Sequence, residues 1–542
     1  MAWSFAVLRC PDEPLLEALA AAALARCGEF RTQEIANTAW SMAKLSFRHR
    51  PLLAALASQA SARIGSEWRS QELANTLWSF ARIKLDNEPL LTCLSEKLLG
   101  CGEDIENRHA EMALVALSTL EDLSVALKFL QVVSESDRQI GSLALAGPLS
   151  SCERRGLRGT LIEQQFLSVL ARCPDIETCV YNDIGLSLAT SGITCQAKEV
   201  LESSQIAGYF NALSHRILQA CGGMSANAIS TESASLVKPG TRLAGGERPH
   251  EKEIRLLNFV FATSEPGDAT GVYQAIETFG RESLSRHHGG SGGRARNAGQ
   301  WLKVAGGEKS DVLVMSARLA PSKGNFLEVG AYCGYSALRL ALATGLRAKI
   351  LSLEADPAHA VIARNILAYA GLAHIVDVCV GHSEDWLPYL AQPKPNGAFA
   401  FVFFDQRGSR YLNDLYTLER RRALSDGAVI VADNVLKPGA PAFLWHVIFS
   451  GLYETQVIAV REFSMPGVED WMSVSIKRKN AFDNTSVSLA PPLPIELQEM
   501  EWEADQMRAR AEQSPGVSFE AWNEFVARMR RCLVANGISP RP

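Results

Sequence analysis

The sequence predicts two folds in one chain: an all-α helical-repeat solenoid, followed by a doubly wound, Rossmann-like α/β domain. Two observations carry this. A motif beginning at Arg31 returns at Arg69, an offset of 38 residues. After residue 320, short apolar runs alternate with helical segments, and the first run ends in a glycine-spaced turn. A helix pair repeated every 30–50 residues or so is the signature of a stacked solenoid. Strands separated by helices give a parallel sheet covered on both faces.

The repeat is explicit. Arg31-Thr-Gln-Glu-Ile-Ala-Asn-Thr-Ala-Trp40-Ser-Met-Ala-Lys44 matches Arg69-Ser-Gln-Glu-Leu-Ala-Asn-Thr-Leu-Trp78-Ser-Phe-Ala-Arg82. Pro51-Leu-Leu and Pro89-Leu-Leu keep the same offset, and Trp3-Ser-Phe-Ala with Pro14-Leu-Leu forms an earlier copy. A degenerate copy follows near Arg108. Ile35, Ala39, Met42 and Ala43 mark one apolar helical face, and Pro at a helix start opens the second helix of each unit. The chain begins inside a repeat, so a truncated N-terminus is expected. Residues 120–220 read as further, irregular helix pairs, which places the solenoid at 1–220.

A Gly/Ser/Ala-rich stretch from Gly222 to Gly246 reads as a linker over 221–250. The α/β pattern occupies 251–480. Its expected strands are Phe326–Val329, Lys349–Glu354, Ile375–Val380, Phe399–Phe404 and Ala428–Ala432, with a closing strand from Trp471. Helices are expected at Ser336–Ala343 and Pro357–Ala370. His287-His288-Gly-Gly-Ser-Gly-Gly reads as a solvated insertion. Residues 481–542 read as a Pro-rich linker and a charged helical tail.

The chemistry lies at the strand ends. The first turn, Glu328-Val-Gly330-Ala-Tyr332-Cys-Gly334-Tyr335-Ser336, lets backbone approach a ligand at the carboxyl edge of the sheet. Its GxxxG spacing argues against a dinucleotide and fits S-adenosylmethionine; a bare Rossmann-like turn is the bland alternative. Glu354 ends the next strand, where a carboxylate can accept two ribose hydroxyls. Asp405, Asp433 and Asn434 end two further strands. Three hard oxygen ligands at one edge suit Mg²⁺; the bland alternative is a set of strand-end caps.

These motifs, with Tyr369-Ala-Gly-Leu, Asp405…Arg410-Tyr-Leu and Val431-Ala-Asp-Asn-Val-Leu-Lys-Pro-Gly439, resemble those of animal-type catechol O-methyltransferases over about 230 residues, in the family's order. The resemblance implies Mg²⁺-dependent methyl transfer from S-adenosylmethionine to a catechol or similar vicinal diphenol. It implies cofactor contacts from Gly306, Glu328, Gly330, Tyr332, Ser336, Glu354, Ser383, Glu384 and Asp405. It makes Asp405, Asp433 and Asn434 the metal ligands. It gives Trp301 and Pro438 the walls around the substrate ring, which Asp405 and Asn434 would also meet. Glu462, the second expected catalytic residue beside Asp405, is the candidate carboxylate for the hydroxyl that is not methylated.

Departures accompany the resemblance. The family's lysine base, three positions after its first metal aspartate, is Gly408 here. Its following His and Trp are Gln406 and Arg407, and Glu384 replaces a neutral amide near the adenine. Arginine is a poor base, but Arg407 or Arg410 is expected to stabilise a catecholate. Gly408→Lys is expected to restore a base.

The repeats, with their Trp-Ser-[Met/Phe]-Ala signature, resemble octatricopeptide-type and related organellar RNA-binding repeats, which implies an RNA partner; a protein partner is the alternative. Two readings of the whole chain follow: an active methyltransferase, or an RNA- or protein-binding solenoid fused to a methyltransferase-fold domain with reduced or lost catalysis.

The bulk numbers agree with a large soluble chain. It has 542 residues, 47% hydrophobic and 21% charged, with a net charge of -5. That charge gives no global attraction to nucleic acid or anionic membrane. The 12 cysteines include no CxxC pair, which points to reduced thiols in an intracellular, reducing compartment. No apolar run reaches the ~18 residues of a membrane span.

Overall fold

The computed structural model describes most of residues 13–221, with short breaks, and 250–285, 302–391, 399–463, 465–479, 490–511 and 517–540. The expected linker from Gly222 to Gly246, the His287–Gly293 insertion and Trp301 lie outside the described residues. The chain divides into two compact units, Met1–Leu170 and Ala171–Pro542. No helix is long and apolar enough to cross a membrane among the described residues.

The first unit is a stack of helices: α1 (Glu13–Arg26), α2 (Thr32–Lys44), α3 (Arg50–Ala62), α4 (Ser70–Ile83), α5 (Glu88–Leu99), α6 (Asn107–Leu117), α7 (Ser124–Glu135), α8 (Ala146–Arg154) and α9 (Leu161–Leu170). The repeat in sequence is a repeat in contacts. The backbone N–H of Arg31 donates to Glu34 at 2.8 Å, and that of Arg69 donates to Glu72 at 3.2 Å. These bonds satisfy an orphan donor at each helix start. Ser41 and Ser79 hydroxyls donate to the carbonyls of Asn37 and Asn75. Ile35, Ala39 and Met42 are buried on α2, as are Leu73, Leu77 and Phe80 at matching positions of α4. α2, α4 and α6 lie side by side, so each unit covers its neighbour's apolar face.

The second unit begins earlier than the sequence suggests. Helices α10 (Glu177–Thr190) and α11 (Thr194–Ile206) belong to it rather than to the solenoid, so the division precedes the expected 221–250 linker. The reason is a buried polar seam on α10. Asp183 accepts from Arg364 at 2.8 Å, and Asn182 Nδ2 donates to Asn365 at 2.8 Å. Asn365 Nδ2 in turn donates to the Cys179 carbonyl at 3.0 Å. A buried guanidinium needs such a partner.

The α/β body follows: α12 (Glu251–Thr263), α13 (Ala269–Ser285), α14 (Glu308–Leu319), β1 (Asn325–Val329), α15 (Tyr335–Ala343), β2 (Ile350–Glu354), α16 (Pro357–Tyr369), β3 (Val376–Val380), α17 (Ser383–Leu390), β4 (Phe399–Phe404), α18 (Gly408–Arg420), β5 (Leu424–Ala432), α19 (Pro441–Phe449), β6 (Tyr453–Glu462) and β7 (Met465–Lys477). The sheet order is β3-β2-β1-β4-β5-β7-β6, with β7 antiparallel to both neighbours. The central strands are apolar throughout because both faces are covered; every residue of Phe399–Phe404 is buried. The sequence reading missed β6, an edge strand on which Tyr453, Val457 and Val460 are buried between more exposed residues.

The expected tail is part of this body. Helices α20 (Ile495–Ala511) and α21 (Phe519–Ala535) bury Leu497, Met500, Ala504 and Met507, and Phe525, Met529 and Leu533. These residues join the core formed by Phe404, Tyr411, Phe443 and Trp471. Their spacing of three and four along each helix makes one apolar stripe within a charged sequence.

Candidate active site

The sheet edge assembles the site because the backbone ladder continues one residue past the central strands. Asp405 N–H donates to the Val329 carbonyl, and Asp433 N–H to the Phe404 carbonyl, each at 2.9 Å. Asp405 and Asp433 therefore emerge side by side from adjacent strands β4 and β5. Asn434 follows with φ 56°, a left-handed turn that asparagine tolerates.

The cofactor-type turn has the geometry its glycines imply. Gly330 has φ +105°, and a Cβ there would lie 2.1 Å from the Asp405 carbonyl oxygen. No side chain fits between the two strand ends. The Glu354 carboxylate is fixed at the end of β2 by Tyr332 N–H at 2.7 Å and Asp356 N–H at 2.9 Å. Tyr332 donates its hydroxyl to Glu253 at 2.5 Å. Glu328 is fully buried on β1 and accepts from Ser352. Burial pushes its carboxyl up to about 7, with the hydroxyls of Ser336 and Ser352 pulling the other way. Ser336 is buried in the first turn of α15. The rigid turn and the carboxylate held at the strand end fit an S-adenosyl group.

Of the other expected cofactor residues, Ser383 begins α17 and lies 3.4 Å from Gln406 Nε2, which also donates to Asp414. Glu384 is exposed and paired with Arg410. Arg410 is thus engaged at this rim. Gly306 packs against an aromatic ring: a Cβ there would lie 2.7 Å from Phe463 Cγ. Phe463 directly follows Glu462, so the glycine's small size lets the end of β6 approach α14.

The cage around the expected metal ligands contains two residues that the sequence reading missed. Lys309, 2% exposed at its side chain, places Nζ 2.9 Å from Asp433, 2.8 Å from Glu462 and 2.9 Å from Asp470. Burial alone would lower its pKa; the three carboxylates override this and hold the ammonium charged. Asp470, fully buried on β7, accepts from Asn434 Nδ2 at 2.9 Å and from the backbone N–H of Lys437 at 2.9 Å. Burial raises the carboxyls of Asp405 and Asp433 and Lys309 opposes both shifts, while Glu328, Glu462 and Asp470 add to the first and Asp405, Asp470 and Glu462 to the second. One Asp433 oxygen also accepts from Asn434 N–H at 2.6 Å.

This donor set fits a divalent cation. Asp433, Glu462 and Asp470 close around Lys309, and Asp405 emerges beside Asp433, so the cage gathers four carboxyl groups. Carboxylates and an amide oxygen are hard ligands of the kind Mg²⁺ takes. Pro438 lies on the turn after Asn434, half-buried, where it could line a pocket.

The expectation for Gly408 fails. A Cβ there would lie 2.4 Å from the Gly439 carbonyl oxygen and 3.1 Å from Ala440 Cβ. The start of α18 rests directly on the 435–439 turn, and a lysine cannot be accommodated without moving one of them. The same turn carries a lysine of its own, Lys437. Its ammonium lies 6.0 Å from the Trp522 ring centroid, and burial lowers its pKa against the pull of Glu462 and Asp470.

Both parts of the chain match known families. An O-methyltransferase family model matches residues 295–443. Mouse catechol O-methyltransferase is 36% identical over 204 residues, covering 38% of this chain and 70% of that protein. The bovine enzyme is 32% identical over 219 residues, covering 40% of this chain and 73% of that protein. A solved Bacillus cereus O-methyltransferase in complex with SAH aligns with TM-score 0.29 and 21% identity, over 36% of this chain and 89% of that one. In the first unit, residues 2–87 match the model for an RNA-editing substrate-binding complex protein. Through its second unit, the chain belongs to the S-adenosylmethionine-dependent O-methyltransferase family that includes the catechol O-methyltransferases.

Proposed function

We propose that the second unit transfers a methyl group from S-adenosylmethionine to one hydroxyl of a catechol or similar vicinal diphenol, with Mg²⁺ held by Asp405, Asp433 and Asn434. The observation that carries this reading is the emergence of those three oxygen donors, side by side, beyond adjacent strands β4 and β5. Mg²⁺ there would chelate two neighbouring phenol oxygens and lower their pKa. In the transfer, the phenol oxygen attacks the methyl carbon, the carbon–sulfur bond breaks with its electrons left on sulfur, and the phenol proton departs.

The chain's own residues divide the work. Glu354, locked by two backbone donors, receives the ribose hydroxyls. Lys309 keeps Asp433, Glu462 and Asp470 close together in a dry cage, and Asp470 fixes the Asn434 amide. Glu462 takes a hydrogen bond from the second hydroxyl. Lys437, on the turn after Asn434 and tied to the cage through its backbone N–H to Asp470, is our candidate for the proton that the family's lysine takes elsewhere.

Paired substrates test this. Methyl transfer to a simple catechol should exceed transfer to the corresponding monophenol by at least about tenfold, as expected if two-point chelation positions the oxygen. Equal rates on the two would contradict the vicinal-diol reading.

For the first unit we propose single-stranded RNA as the partner. Trp40 and Trp78 occupy equivalent, half-buried positions, with Lys44 5.9 Å from one ring and Arg82 5.4 Å from the other. Aromatic rings beside cations at a fixed repeat suit base stacking along a strand, and the match to an RNA-editing complex protein supports the same partner.

A further inference from the structure

Away from the carboxylate cage, a second group of ligating side chains meets beside the cofactor edge. His250 stands at the start of α12, Glu253 lies in that helix's first turn, and His359 lies in the first turn of α16. One ligating atom from each falls within 4.8 Å of the other two. His359 Nε2 is 3.9 Å from Glu253 Oε1, and the two imidazole centroids are 5.1 Å apart, edge to face. Asp356 approaches from the same side, with Oδ2 3.8 Å from His250 Nε2 and 4.0 Å from His359 Nδ1. All four side chains are largely enclosed, at 9–22% exposure.

We propose that His250, Glu253 and His359, with Asp356 as a further oxygen donor, form a second metal site that takes a borderline transition ion such as Zn²⁺. Two imidazoles and carboxylates match that class of ion, whereas the all-oxygen set at Asp405, Asp433 and Asn434 matches Mg²⁺. The two sites are separate. Glu354 ends β2 and Asp356 follows it, Asp433 follows β5, and β1 and β4 lie between them. Three strand spacings place them about 14 Å apart. Drawing the donors to the ~2.0–2.2 Å of zinc bonds requires side-chain contraction by about an ångström. Three helix-start positions with rotatable side chains permit this.

The site has contacts to displace, and these give it a consequence. Glu253 Oε1 accepts from the Tyr332 hydroxyl at 2.5 Å and lies 3.2 Å from Lys252 Nζ. His359 Nδ1 is 3.9 Å from Glu354 Oε1. A bound ion draws Glu253 from Tyr332, whose own N–H holds Glu354. Occupancy of the metal site therefore reaches the cofactor edge and weakens S-adenosylmethionine binding severalfold. This coupling rests on Glu354 being the ribose carboxylate; the metal site itself does not.

Co²⁺ is the probe, titrated into the full chain with Mg²⁺ in excess to fill the hard-oxygen site. One equivalent should give the visible d–d bands of a four-coordinate ion, without thiolate charge-transfer absorption. The bands should vanish in His359→Phe and in His250→Phe, with melting temperatures showing that both variants fold, and should persist in Asp433→Asn. No bands, or bands that survive both histidine substitutions, overturn the site. Calorimetry of S-adenosylmethionine binding with and without Zn²⁺ then reads the coupling. A Kd raised about fivefold supports it, and an unchanged Kd overturns it. A chain that binds no S-adenosylmethionine without Zn²⁺ overturns the cofactor reading instead, while the Co²⁺ spectrum still decides the site.

Discussion

The two units of this chain encode structure in opposite ways. In Met1–Leu170 a sequence offset becomes a contact offset: Glu34 and Glu72 cap, Ser41 and Ser79 bond backward, and Trp40 and Trp78 stand beside cations at the same places. Each contact is local, and the information is repeated. In Ala171–Pro542 the important contacts join distant residues once. Lys309 meets Asp470 across 161 positions, and Asn182 meets Asn365 across 183. A repeat unit tolerates loss of one copy's surface feature, whereas the assembled site depends on each member.

The comparison predicts its own hierarchy of damage. The largest effect belongs to Asp433→Ala. It removes a metal-ligand candidate and one of three anions around Lys309. Since metal stabilisation of a transition state amounts to several kcal/mol, methyl transfer should fall by about 10³-fold or more. Steady-state kinetics with the fold checked by circular dichroism tests this; a loss under tenfold would move the metal elsewhere.

Truncation comes next. Deleting 1–170 should leave a folded, cofactor-binding protein, because the second unit keeps its own core. Deleting 1–240 also removes Asp183, the carboxylate partner of Arg364, and Asn182, which bonds Asn365. Losing these bonds and opening the face of α16 that α10 covers should make the shorter protein melt well below the longer one. Equal melting temperatures would show that α10 and α11 are dispensable.

Glu354→Ala should weaken S-adenosylmethionine binding by about 1.5–3 kcal/mol, the scale of hydrogen bonds to a charged group, read by calorimetry. Gly408→Ala should destabilise the fold by about 1–3 kcal/mol through overpacking against Gly439, read by denaturant unfolding. A neutral result there would show that the 435–439 turn yields easily, and would reopen the position to a lysine. In the repeats, Trp40→Ala and Trp78→Ala should each cost single-stranded RNA affinity about 1 kcal/mol, at the low end for a stacked base, and leave methyl transfer unchanged. Fluorescence anisotropy at fixed salt is the check, and unaltered affinity in the double variant would favour a protein partner.

The same contrast explains what was readable in the sequence. The solenoid was visible because its signal repeats. The acids and glycines of the α/β body were visible because strand ends and tight turns impose residue types locally: Gly330 must be glycine where it meets Asp405 O, and Asp405 and Asp433 directly follow apolar strands. Lys309 and Asp470 carried no such local mark. A lysine after Gly306-Gly307-Glu308 and an aspartate inside β7 become significant only when folding buries them together. The unit boundary was misread for a related reason: an amphipathic pattern identifies α10 and α11 as helices but not the surface they cover. The buried Asn182-Asp183 pair was the available signal, since adjacent polar residues within a helix core require polar partners. Gly408 looked like a missing base, and its crowding against Gly439 depends on a turn 31 residues away.

The central claim is that the strand-end oxygens hold Mg²⁺ for transfer to a vicinal diphenol. The most direct measurement is the initial rate of methyl transfer from S-adenosylmethionine to catechol by the full chain, taken with Mg²⁺, in excess chelator, and after Mg²⁺ is restored. The account predicts turnover with Mg²⁺, at least about a hundredfold loss in chelator, given the several kcal/mol at stake, and full recovery. An undiminished rate in chelator, or no turnover with Mg²⁺ in a protein that binds S-adenosylmethionine, would contradict it.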